Sequence, residues 1–241
     1  MASPSVPNSK ITKSVNRYLD QLHDQNSKLL VLRVDLAYTK EHSKAVGLAD
    51  IKRDANHLLN NRRSNHTLFK NQLGYVMKFE DAPDKGPHIH ALFVYDGQQH
   101  CKDAHLADQI GRYWNETITD GKGVYHNCNR EKKRYDQCGI GMVDYSDTDK
   151  RAALAEKVVP YMLKSEQSIA GIRSGKERSM TKGMVPSNKS SAGRPRVHAS
   201  AQTLTADRTT SSSLPFGDSG FTSQSSALTR QDGPQSASIS I

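Results

Sequence analysis

The stretch GPHIHALFVY, Gly86 to Tyr95, decides how the rest of the chain is read. Its aliphatic and aromatic residues form a short apolar run of the kind that makes a buried strand. Side chains alternate along an extended strand, so His88 and His90 face one way while Ile89 and Ala91 face the other. Two imidazoles on one face come within reach of a single ion. The pair is equally compatible with ordinary strand histidines, so further ligands must come from outside the stretch.

Just upstream, QLGYVMKFE (72–80) is a second strand-like run, joined to the first by the turn-rich DAPDKG. A hairpin through that turn returns the chain so that Glu80 lies beside the histidines, with Asp81 and Asp84 as competing carboxylates. Two imidazoles and one carboxylate leave open positions on a divalent ion such as Mg²⁺, Mn²⁺ or Zn²⁺.

Downstream, PYMLK (160–164) places Tyr161 and Lys164 three residues apart, on one face if the segment is helical. A phenol is a weak nucleophile at neutral pH. A neighbouring ammonium favours its anion and balances charge on a pentavalent phosphorus. The same Tyr-x-x-Lys spacing recurs in YVMK at Tyr75 to Lys78, but in a strand those two side chains point to opposite faces. Tyr161 is therefore the candidate nucleophile, with Lys164 as its partner.

The remaining segments give the fold class. KSVNRYLDQLHDQ carries Val15, Tyr18, Leu19 and Leu22 at helical spacing, and KLLVLRVDLAY reads as a strand with Arg33 and Asp35 on one face and Val34 and Leu36 on the other. LADIKRDANHLLNNRR predicts a helix capped by Asp50, and DAHLADQIGRYWNETI another, weakened by Gly111. GVYHNCN and QCGIGMVDY predict a hairpin of short strands around the charged REKKRYD. DTDKRAALAEKVVPYMLKSEQ predicts a closing helix, started by Asp147 or Thr148 and interrupted by Pro160. The order helix, strand, helix, hairpin, helix, hairpin, helix points to an α+β domain with a central, mostly antiparallel sheet and flanking helices. The glycine patterns of P-loop and Rossmann nucleotide sites are absent.

Composition sets the outer bounds. Of 241 residues 35% are hydrophobic and 6% aromatic, with mean hydropathy −0.72, too polar for one globule running end to end. Residues 1–9 are expected to be a flexible N-terminus, 10–180 the folded domain, and 181–241 a disordered, basic, Ser/Thr-rich tail whose AGRPRV resembles the core of minor-groove hooks. A net charge of +9 and a pI near 9.4 suit a polyanionic partner. Arg62 and Arg63 of NNRRSN, and Arg130, Lys132, Lys133 and Arg134 of NREKKRYD, are the expected phosphate contacts, with Arg33 as a supporting cation. Three cysteines, an odd number without a dense framework, suit a reducing compartment. His126, Cys128 and Cys138 lack the paired spacing of a zinc site. No apolar run reaches membrane-spanning length and the N-terminus lacks the apolar core of a signal peptide, so a soluble intracellular protein is expected.

Taken together, the His-x-His strand, Glu80 upstream and the Tyr-x-x-Lys helix downstream resemble the HUH endonucleases, the single-tyrosine initiators of rolling-circle replication. GPHIHALFVYDG, LADQIGRYWNETITDGKGVYHNCN and CGIGMVDY are similar to the replication initiators of inovirus-type filamentous phages and their prophage relatives, the YagK/YfjJ C-terminal domain family. The resemblance covers roughly residues 28–167, and histidines before tyrosine is the order of replication initiators. It implies a cytoplasmic enzyme of a bacterial host that nicks and rejoins single-stranded or locally melted origin DNA. His88, His90 and Glu80 would hold Mg²⁺ or Mn²⁺, and Tyr161 would form a 5′-phosphotyrosine. Host helicase and polymerase are implied as further partners. A non-cleaving DNA-binding regulator on the same fold and a zinc-stabilised RNA-binding protein are the rival expectations.

Overall fold

A computed structural model describes residues 9–82, 85–163 and 178–185. The expected tail from residue 186 on, with its AGRPRV segment, and residues 1–8, Asp84 and Lys164 lie outside the described residues.

Helix α1 (Ser9–Gln25) leads into β1 (Lys28–Tyr38), followed by a short α2 (Lys40–Ser43), α3 (Leu48–Asn60), a 3₁₀ turn (Asn61–Arg63) and a short α4 (His66–Phe69). The hairpin β2 (Gln72–Ala82) and β3 (Gly86–Asp96) comes next, then α5 (Asp103–Tyr113) and β4 (Gly123–Asn127). A 3₁₀ segment (Cys128–Arg134), β5 (Gly141–Asp144), α6 (Thr148–Ala153), α7 (Val159–Met162) and β6 (Met180–Lys182) complete the order. The sheet is antiparallel in every pairing and runs β4-β1-β3-β2-β6, with β5 also on β1. This is the expected α+β architecture.

Alternation sorts the strands onto two faces. Leu32, Val34, Leu36, Met77, Phe79, Ile89, Ala91 and Phe93 fill one face and pack on Ile51, Ala55 and Leu58 of α3 and Ile110 and Trp114 around α5. The other face holds Leu29, Val31, Val76, Leu92 and Val94, covered by Val15, Leu19 and Leu22 of α1 and by Leu154, Val159 and Met162. Burying each such aliphatic or aromatic side chain stabilises the fold by roughly 1.5–3 kcal/mol. Gly111 is required where it stands, because a Cβ there would fall within 2.1 Å of the Tyr125 ring.

Three expectations are corrected. β4 and β5 do not form a hairpin; each pairs with a different stretch of β1, Val34–Tyr38 and Lys28–Val31. Between them the side chain of Asn129 takes the place of a strand: its Oδ1 accepts from Arg33 N–H at 2.8 Å and its Nδ2 donates to the Val31 carbonyl at 3.0 Å. Asp50 is not the N-cap of α3. Gly47 holds that position and donates its N–H to the Asp50 carboxylate at 3.0 Å. Residue 180, where the folded domain was expected to end, is the first residue of β6. Pro160 leaves the closing helix unbroken: a π turn over Leu154–Val158 precedes it, with Val159 N–H bonded to the Leu154 carbonyl. The Ala155 carbonyl, which loses Val159 and finds no N–H on Pro160, accepts instead from Asn16 Nδ2 of α1 at 3.2 Å.

Candidate metal centre and adjoining cleft

In the β2–β3 hairpin Glu80 is directly opposite His88, and Lys78 opposite His90; on the far side of β3, Asp35 of β1 is also opposite His90. All five side chains share one sheet face, the one that α1 covers at its other end. Glu80 and His88 are buried, at 5% and 4% exposure. Asp81 is one residue further along β2 and points to the other face.

The imidazoles converge. His90 Nε2 is 3.4 Å and His88 Nε2 3.8 Å from the same Glu80 oxygen, and one ligand atom from each residue lies within 4.8 Å of the others. The opposite ring nitrogens are engaged: His88 Nδ1 is 3.0 Å from the Gly86 carbonyl and His90 Nδ1 2.7 Å from Asp35 Oδ1. A carbonyl or carboxylate oxygen only accepts, so both Nδ1 atoms carry the proton and both Nε2 atoms turn toward Glu80. Backbone and carboxylate partners orient metal-binding histidines in the same way. The residues therefore fit a divalent ion held by Glu80, His88 and His90. Among the described residues no other group of three His, Cys, Asp or Glu converges in this way, the His126, Cys128 and Cys138 set included.

Electrostatics distinguishes the two rings. Burial lowers the His88 pKa below the usual imidazole range. Burial acts the same way on His90, but Asp35 and Glu80 together outweigh it and push that ring up to about 9. Asp35 is held below the usual carboxylate range because His90 and Arg33 prevail over its own burial.

Asp35 links the centre to Tyr161. Its Oδ1 faces His90, while Arg33 donates from its terminal NH₂ to Oδ2 at 3.4 Å. The Arg33 guanidinium lies over the Tyr161 ring, 4.7 Å from its centroid. Tyr161 stands on α7 and is 54% exposed. Asp35, Arg33 and Tyr161 line one cleft of about 400 Å³ together with His126 and Tyr135.

No family model, curated protein or solved structure matches the chain. The reading of the site accordingly rests on its residues.

The structure distributes the expected phosphate contacts unevenly. Arg33 is buried beneath Tyr161, not presented as a surface cation. Arg62 packs over Tyr75, whose side chain belongs to the opposite sheet face, and Arg63 follows it exposed. In the charged connection Arg130 bonds the Asp108 carboxylate, Lys132 pairs with Asp103 at 2.6 Å and Arg134 with Glu131 at 2.9 Å, while Lys133 is exposed. Cys128 is buried, which pushes its thiol up to about 12. Tyr75 and Lys78 lie on opposite faces of β2, as the strand period requires, yet Lys78 shares the face of the metal centre. Asp35 as the partner of His90 is the site residue that the sequence signals least. Its signal is a second charged pair, Arg33-x-Asp35, interrupting an apolar strand as His88-x-His90 does.

Proposed function

We propose that the protein is a metal-dependent endonuclease and strand transferase of the HUH type, which nicks and rejoins single-stranded or melted DNA at a replication origin to initiate rolling-circle replication of a phage or prophage. The observation that carries the reading is the convergence of His88 and His90 Nε2 on Glu80, linked through Asp35 and Arg33 to an exposed tyrosine on the same cleft. A bound Mg²⁺ or Mn²⁺ supplies Lewis acidity to a phosphate oxygen. The rest is done by the chain. Asp35 and the Gly86 carbonyl fix the tautomers and aim of the two imidazoles. Tyr161 Oη attacks phosphorus, the new P–O bond replaces the P–O3′ bond, the phenolic proton departs and the 3′ oxygen gains one. Arg33 balances negative charge as it gathers between phenol and phosphate, and Lys164 would add a second cation. One phosphodiester is exchanged for another, so reversal rejoins the strand without ATP. The free 3′-hydroxyl would prime a host polymerase in the bacterial cytoplasm, with a host helicase opening the duplex.

The test uses the full chain with a random-sequence pool of single-stranded DNA and Mn²⁺. A protein–DNA adduct that survives denaturant and is missing with EDTA and in Tyr161→Phe is the expected result. No adduct with wild type in either Mn²⁺ or Mg²⁺, or an adduct that persists in Tyr161→Phe, overturns the reading and favours a non-cleaving DNA-binding regulator.

A further inference from the structure

At one end of the sheet stands β6, the last strand in the order β4-β1-β3-β2-β6. Phe79 N–H donates to the Ser179 carbonyl at 2.8 Å and Gly183 N–H to the Tyr75 carbonyl at 3.0 Å, so Ser179 and Gly183 bond inward to β2. In an antiparallel ladder such residues alternate with residues whose N–H and C=O point away, so Met180 and Lys182 turn both groups to the outer edge. Among the described residues no further strand takes them. Helices α1 and α3 cover opposite faces of the sheet, and a groove of about 800 Å³ is lined by Tyr18 of α1, by Lys52 of α3 and by β6 itself. It therefore runs along the open edge of the strand. Its lining carries three cations, Lys52, Arg178 and Lys182, and no carboxylate among the described residues. Lys182 Nζ lies 4.9 Å from the centroid of the Tyr18 ring, and Met184 on the same groove is 90% exposed, the most exposed large apolar side chain described.

From this geometry we infer that the β6 edge is a docking site for an extended acidic segment of a partner protein, which adds to the sheet as a further strand. Main-chain hydrogen bonds to Met180 and Lys182 supply the affinity; carboxylates facing the three cations and an aliphatic residue covering Met184 supply the specificity. Exposed edges invite pairing and are commonly blunted by charge. Here the charge is of one sign, so it selects a partner. A second copy of this chain is disfavoured, because pairing β6 with itself brings like charges face to face. A phosphate backbone satisfies the cations but only accepts hydrogen bonds, which leaves the outward carbonyls of Met180 and Lys182 without donors. A peptide backbone supplies both donor and acceptor. The inference is independent of the nicking reading and uses none of the residues assigned to it.

The test is fluorescence anisotropy of the full chain, in EDTA, with a labelled peptide pool in which Glu alternates with Val, Ile, Leu or Phe. Saturable binding of this pool is expected, and the same pool with Lys in place of Glu should not bind. Methylating every backbone amide nitrogen of the acidic peptides keeps their charge and removes their donors, and is expected to weaken binding by about ten-fold. Met180→Pro deletes an outward N–H while leaving the groove's cations in place, and should weaken binding in the same way. Arg178→Ala combined with Lys182→Ala is expected to weaken binding by about ten-fold and to flatten its salt dependence. No binding of the acidic pool, or N-methylated peptides that bind within about two-fold of their parents, overturns the inference. So does displacement of the peptides by a mixed-sequence oligonucleotide whose own affinity falls in the Arg178/Lys182 variant, which would make the groove a nucleic-acid site.

Discussion

On one face of the sheet, Val34, Ile89, Ala91 and Phe93 meet α3 and α5 and are closed off from water completely. One residue along the same strands, Arg33, Asp35, His88 and His90 turn to the other face, where α1 and α7 cover only the aliphatic end. Backbone, register and burial are nearly shared; what differs is which member of each alternating pair looks which way. The apolar face makes the strands rigid. That rigidity holds the polar side chains of three neighbouring strands at fixed separations, as a binding site requires.

If the faces divide labour in this way, substitutions on each should fail differently. The largest effect on stability is expected on the apolar face: Phe93→Ala should destabilise by about 3–5 kcal/mol in urea unfolding, while whatever fraction remains folded still binds metal. Across the strand, His90→Ala should do the reverse, removing Mn²⁺ binding from the fraction that remains folded. Asp35→Asn sharpens the comparison, since it keeps the shape and loses the charge behind His90. Loss of such a supporting partner lowers metal affinity by about 10–100-fold, which is measurable by titration calorimetry.

The Asp35–His90 pair also gives the metal-free protein a pH signature. His90, raised to about 9, contributes stability that is complete below the ordinary imidazole pKa and is lost as pH climbs through 9. Asp35, held below the usual carboxylate range, contributes stability that is complete above that range and is lost as pH falls beneath it. Thermal unfolding in EDTA should therefore show a lower midpoint at both extremes, and Asp35→Asn should flatten the alkaline limb. Proton and metal compete for the same Nε2 atom, so apparent Mn²⁺ affinity should rise with pH over that window. The smallest effect is expected away from both regions. Asn16→Ala leaves the Ala155 carbonyl beside Pro160 without its partner and should cost about 0.5–1.5 kcal/mol.

Much of this architecture is legible in the residues. Period-two alternation alone puts His88 and His90 on one face, and the turn between the two runs puts Glu80 opposite them. The helical spacing of α1 and α3 and the cap at Asp147 are local signals that the structure retains. What stays hidden depends on partners distant in sequence. The short β4 and β5 show no pairing preference of their own, and Asn129 acts as a strand only because the fold brings it to the Arg33 N–H, 96 residues away along the chain. Arg33 and the cations of the charged connection read as surface contacts because charge content does not say which carboxylate each will meet.

The most direct test of the central claim is titration of the full chain with Mn²⁺ in parallel with Glu80→Gln, His88→Ala and His90→Ala. One ion per wild-type chain, with binding lost in all three variants, is the result expected of a centre built on that sheet face. No binding to wild type, or binding that survives in the two histidine variants, would contradict it.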